Sequence, residues 1–106
     1  MTNADLPVSL RALMEGAAPP DAFVSNGCSC CPDEYGGVDL RPACHWHDYA
    51  YSVGGDEPAR KRADQAFYRN LRRCDLGRLM AGIYYRRVRL FGMQHWPYPA
   101  VIDPGH

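Results

Sequence analysis

Apolar residues recur at helical spacing in four stretches of the chain. Leu6, Leu10, Leu13 and Met14 predict a first helix over about 5–15, ended by Gly16 and the Pro19-Pro20 pair. Residues 21–39 break the pattern, and NGCSCCPDEYGG reads as a structured loop. Asp39 as a cap, Pro42 in the first turn and Gly54-Gly55 as a stop predict a second helix over about 40–53. Asp56 and Pro58 repeat that start signal for a third helix over about 57–75, and a fourth covers about 78–91, ending near Gly92. The tail HWPYPAVIDPGH is broken by prolines. No segment alternates with period two, so the expected fold class is all-α.

At 106 residues the chain reads as one domain, with ordinary globular composition. A domain of this size buries only about 65% of the surface its unfolded chain exposes, and the five cysteines are candidate staples for so small a core. No stretch approaches the ~20 apolar residues of a membrane-spanning helix. The start, MTNADLPVSL, lacks a basic segment followed by an apolar run, so no signal peptide is visible. Formal charge is balanced overall but divided: residues 1–57 carry two arginines against nine acids, and residues 58–106 carry ten basic residues against three acids. An acidic front half suits a cation site, and a basic back half suits an anionic partner or simply the front half itself.

The second helix gathers reactive groups. At about 100° per residue, Tyr51, Cys44 and Asp48 fall within about 100° of His47, while His45 lies far round the helix. A thiol, an imidazole, a carboxylate and a phenol thus share one face. On the third helix, Ala59, Ala63, Ala66, Phe67, Leu71 and Cys74 form an apolar stripe, with Asp64 at its margin. A carboxylate there needs a partner, because desolvating it alone is costly. Two partners compete: Arg60 one turn earlier on the same helix, and His47 across the interface. Only a short turn joins the two helices, so they pack antiparallel, in a register that sets His47 opposite Asp64.

Taken together, Cys44, His47, Asp48, Tyr51 and Asp64 resemble the signature of the calcium-dependent secretory phospholipase A2 superfamily. That signature has a cysteine three residues before a His-Asp pair, a tyrosine four after the histidine, and an aspartate on a later helix. The segment NGCSC resembles the family's calcium loop, placed here at about 24–39, and the likeness covers roughly residues 24–74. Two bridges of the larger animal enzymes are missing as pairs, at Ala43 with Asn70 and at Ala50 with Ala63. The short separation of the two catalytic helices leaves no room for a β-wing. The resemblance is therefore to the compact bacterial and fungal branch. The loop departs from the family in one respect: CSCCPD lacks the usual glycine run.

The resemblance implies a small helical fold and hydrolysis of the sn-2 ester of glycerophospholipids. His47 would act as general base on water, Asp64 would orient it, and Tyr51 would buttress the pair. Ca²⁺, which prefers ~6–8 oxygen ligands, would be held by the Asp48 carboxylate with the carbonyls of Ser29, Cys31 and Asp33. Leu6, Leu10 and Leu13 would line an acyl channel or serve as plain core. Cys30–Cys44 would be the family bridge, leaving Cys28, Cys31 and Cys74. The implied partner is phospholipid at a membrane or micelle surface, met by a monomer through the basic half around Arg86, Arg87 and Arg89, with Trp96 nearby. No nucleic-acid partner is expected. Disulfides favour a secreted protein, with a cytoplasmic one as the alternative.

Two other readings use the same residues. Cys28, Cys30, Cys31, Cys44, His45, His47 and Cys74 could form a structural zinc site in a non-enzymatic interaction module. Cys44 with His47 one turn on could be a thiol nucleophile and its base.

Overall fold

The computed structural model describes residues 1–25 and 32–97. It is mostly helical, as the pattern predicts. The elements are α1 (Val8–Arg11), a small hairpin β1 (Glu34–Tyr35) and β2 (Val38–Asp39), and the helices α2 (Arg41–Val53), α3 (Glu57–Arg73) and α4 (Arg78–Phe91). Single 3-10 turns lie at Asn3–Asp5 and Gly92–Gln94. The helix α3 is the centre, packing against α2 on one side and α4 on the other.

The first helix is much shorter than its apolar spacing suggests. Pro7 forces Leu6 into an extended conformation, which splits the segment into a 3-10 turn and the four-residue α1. Leu6 is buried, whereas Leu13 is exposed. The second departure is the hairpin, in which Glu34 pairs with Asp39 and Tyr35 with Val38. Gly36 and Gly37 both have positive φ, the two-residue turn that the twist of a hairpin favours. Strands of two residues are too short to register as alternation.

The ends of α2 and α3 follow their sequence signals closely. Asp39 does not occupy the cap position of α2, which is Leu40, but its Oδ1 accepts the Arg41 N–H at 3.1 Å. Asp56 caps α3, with its Oδ1 accepting the Ala59 N–H at 2.9 Å. Three residues join the helices, and the turn needs Gly54: a Cβ there would lie 2.6 Å from the Pro97 carbonyl oxygen. At its far end α3 closes with Asp75 at φ 72°, the Asp75 N–H on the Arg72 carbonyl (3.0 Å) and the Leu76 N–H on the Leu71 carbonyl (3.1 Å). That is a Schellman cap built on aspartate where glycine is usual.

The core lies between these helices: Leu40, Ala43 and Cys44 meet Phe67, Leu71, Cys74 and Leu76, closed by Ala81, Tyr84 and Val88 of α4. The apolar stripe of α3 therefore divides. Phe67, Leu71 and Cys74 enter this core, and Ala59, Ala63 and Ala66 face a pocket instead. Cys74 is a free thiol whose pKa burial pushes up to about 11, and Cys44 is disulfide-bonded. A buried, disulfide-bonded Cys44 is no nucleophile, which removes the Cys44–His47 pairing.

Both described ends around residues 26–31 are pinned. The Tyr84 hydroxyl donates to the Pro32 carbonyl at 3.0 Å. Ser25 Oγ lies 2.7 Å from His45 Nδ1, and His45 Nε2 lies 3.0 Å from Asn3 Oδ1. The Asn3 amide donates to the Pro19 carbonyl, so its oxygen is the acceptor facing His45. The imidazole therefore carries its hydrogen on Nε2 and accepts the Ser25 hydroxyl on Nδ1. His45 is a fully buried tether for the N-terminal segment.

Candidate active site

The α2–α3 contact brings His47, Tyr51 and Asp64 together, as the antiparallel register requires. The His47 Nε2 donates to Asp64 Oδ1 at 2.8 Å, and the Tyr51 hydroxyl donates to the same oxygen at 2.8 Å. An ionised carboxylate can only accept, so it fixes the hydrogen of His47 on Nε2 and leaves Nδ1 with the lone pair. The imidazole stacks on Phe67, centroids 4.4 Å apart, and leans on the Tyr51 ring, also 4.4 Å away.

Asp64 has no exposed surface. Burial raises its pKa, but hydrogen bonds from His47, Tyr51 and Arg89 outweigh that, and the net shift is downward. Its second oxygen, Oδ2, accepts from Arg89 Nη1 at 2.8 Å and from Arg60 Nη1 at 3.5 Å. The two partners weighed for Asp64 from sequence are thus both present, one on each oxygen. Arg60 is nearly buried, and its guanidinium also binds Glu57 and the Val88 carbonyl. Burial keeps the Tyr51 phenol protonated throughout the physiological range.

Arg89 was expected at the outer surface, and here the sequence reading is corrected. It turns inward to Asp64, with its other nitrogen on Glu57 at 2.7 Å. Trp96 is likewise buried, its indole N–H on the Gly55 carbonyl at 2.7 Å and its ring edge-on to Tyr51 at 4.8 Å. Of the basic cluster, Arg86 and Arg87 remain on the outer face. The 3-10 turn behind Tyr51 requires Gly92, because a Cβ there would collide with the Tyr51 hydroxyl.

A pocket of about 280 Å³ opens beside His47. It is lined by small residues from both helices, Ala50, Ala59, Ala63 and Ala66, together with Phe67 and Trp96. The N-terminal segment supplies a wall at Glu15, Gly16 and Ala17 rather than at Leu6, Leu10 or Leu13. Asn70 seats that wall by accepting the Glu15 N–H at 2.7 Å and donating to the Glu15 carbonyl at 3.0 Å. Arg69 adds a two-pronged ion pair to the Glu15 carboxylate. Asn70 is thus a strut, and Ala50 and Ala63 line the pocket.

Asp48 follows His47 on α2 and is mostly buried, with no hydrogen-bond or ion-pair partner among the described residues. Burial alone pushes its pKa up to about 6. The carbonyl of Asp33 accepts the Leu40 N–H at 2.9 Å, and its side chain is exposed. Ser29 and Cys31 lie outside the described residues, as do Cys28 and Cys30. Among the described residues no cluster of three His, Cys, Asp or Glu side chains forms a metal site. His45 and His47 leave α2 in different directions, one to Ser25 and Asn3 and the other to Asp64.

Comparison with protein-family models, curated proteins and solved structures finds no match to the chain.

Proposed function

We propose that the chain is a calcium-dependent phospholipase A2, hydrolysing the sn-2 ester of glycerophospholipids within a compact helical version of that fold. The observation that carries this reading is the His47–Asp64 hydrogen bond beside an apolar pocket. A histidine held in one tautomer by a buried carboxylate is the arrangement of a general base. A pocket beside it lined by small apolar residues suits an acyl chain.

In this reading His47 Nδ1 takes a proton from a water that attacks the ester carbonyl. Asp64 holds the Nε2 hydrogen throughout and stabilises the imidazolium that forms. Tyr51 shares the same carboxylate oxygen and limits its rotation. Phe67 and Trp96 exclude bulk water from the His47 face of the pocket. Asp48 would hold calcium: it is a desolvated carboxylate with no cation beside it among the described residues, the state expected of a hard-cation ligand. When bound, the ion would supply Lewis-acid polarisation of the ester carbonyl and charge stabilisation for the oxyanion. Ser29, Cys31 and Asp33 are the proposed carbonyl donors.

The same reading assigns the lipid-facing surface to α4. Its exposed side carries Leu79, Ile83 and Leu90 with Arg86, and the helix contains no acidic residue. Apolar anchors with arginines between them suit an anionic lipid interface. Secretion accords with the disulfide at Cys44. The test of the function is phosphatidylcholine labelled separately at each acyl position. Calcium-dependent release of the sn-2 label supports it, and unchanged release in excess chelator counts against the metal.

A further inference from the structure

We propose that Arg89, reaching inward from the last turn of α4, is a positioning residue that fixes the Asp64 carboxylate on His47. The catalytic half of this inference rests on the hydrolytic reading above, and the structural half stands without it. Among the described residues, the donors to Oδ1 of Asp64 are the His47 Nε2–H and the Tyr51 hydroxyl. Arginine reaches the carboxylate on Oδ2 alone among the described residues. Of the two guanidiniums there, Arg89 is at 2.8 Å, the length of a charge-assisted bond, and Arg60 is at 3.5 Å. Arg60 is also engaged by Glu57 and by the Val88 and Arg89 carbonyls.

Arg89 is braced at its outer end, where Nη2 meets Glu57 Oε1 at 2.7 Å. The guanidinium therefore bridges a surface carboxylate and a buried one, and it ties the end of α4 to α3 on the side of Asp64 away from His47. With its charge removed, Asp64 would be a desolvated carboxylate left with His47, the Tyr51 hydroxyl and one distant guanidinium. It would then gain a proton or rotate, and in either case it would cease to hold the Nε2 hydrogen. The substrate pocket contains no atom of Arg89, so the deficit falls on turnover rather than on substrate binding.

The experiment compares Arg89→Met and Arg89→Lys in the full chain. Calcium-dependent turnover on phosphatidylcholine vesicles gives kcat and KM, and ring-15N histidine NMR reads the His47 tautomer. Arg89→Met should lower kcat by about tenfold or more with KM within about twofold, and should shift the His47 ring signals toward mixed tautomers. Arg89→Lys should recover part of the loss, because it returns the charge without the fork. Unchanged ring signals with kcat within about twofold in Arg89→Met would overturn the proposal. Equal losses in both variants that track melting temperature would also overturn it. If the wild-type chain hydrolyses no phospholipid, the hydrolytic reading fails, and the NMR comparison alone decides the role of Arg89. Should Arg89→Met not fold, Glu57→Gln frees the outer end of Arg89. It should move the His47 signals in the same direction, and unmoved signals refute the bridge.

Discussion

His47 and Asp64, 17 residues apart in the chain, meet across the α2–α3 interface at 2.8 Å. The other oxygen of the same carboxylate is held by arginines from α3 and α4. Asp64 therefore serves both the site and the fold, and variants at this position should show both effects.

Asp64→Asn should cost about 3 kcal/mol of stability, because it strips the buried Arg60 and the half-buried Arg89 of their inner anion. Tyr51→Phe should cost about 1 kcal/mol, the ordinary value of one hydrogen bond whose acceptor keeps another donor. Urea unfolding of the two variants checks the order. Equal stabilities would mean that the ionic network contributes nothing to folding.

His45 should make the fold acid-sensitive. Burial lowers its pKa, the nearby chain-terminal amine lowers it further, and Asp5 opposes them weakly. Neutral His45 is thus favoured in the folded state, so its contribution is present above the unfolded value of about 6.5 and is lost as pH falls below it. Unfolding free energy measured from pH 7.5 down to pH 5 should decline more steeply in the wild type than in His45→Gln. Parallel profiles would show that the Ser25–His45–Asn3 tether is not pH-linked.

Asp75→Gly should stabilise the protein by about 0.5–1 kcal/mol, because glycine adopts the positive φ of the α3 cap without Cβ strain. Chemical denaturation reads this directly, and a destabilised variant would mean that the Asp75 side chain has a compensating role.

Lipid contact through α4 makes a separate forecast. Binding to anionic vesicles should weaken with added salt, since exposed charges are screened beyond ~8 Å at physiological ionic strength. Arg86→Glu should weaken that binding further, while Trp96, being buried, should show no salt-dependent change in fluorescence. Equal binding of wild type and Arg86→Glu to anionic vesicles would exclude this face.

The helices α2, α3 and α4 were legible because each carries its own stop or start signal: Gly54, the Asp56 cap and Gly92. The dyad was legible because a three-residue connection leaves one antiparallel register, and that register sets His47 against Asp64. The first helix was not, since Pro7 overrides the spacing of Leu6 and Leu10. The hairpin was marked only by Gly36-Gly37, flanked by strands too short to show a period. Arg89 was misread outward because nothing local records a partner 25 residues away, and a surface arginine and a bridging one look alike in sequence. Trp96 was misplaced for the same reason, its partners Gly55 and Tyr51 being set by tertiary packing. The pocket wall at Glu15–Ala17 depends on Asn70, and nothing local in the sequence records a partner 55 residues away.

The most direct test of the account is sn-2 fatty-acid release by His47→Gln at saturating calcium, beside the wild type. Turnover should fall by about 10²–10⁴-fold, the value of a general base, with calcium affinity retained and little change in melting temperature. A His47→Gln protein that keeps more than about a tenth of the wild-type rate would contradict the assignment of His47 as the base.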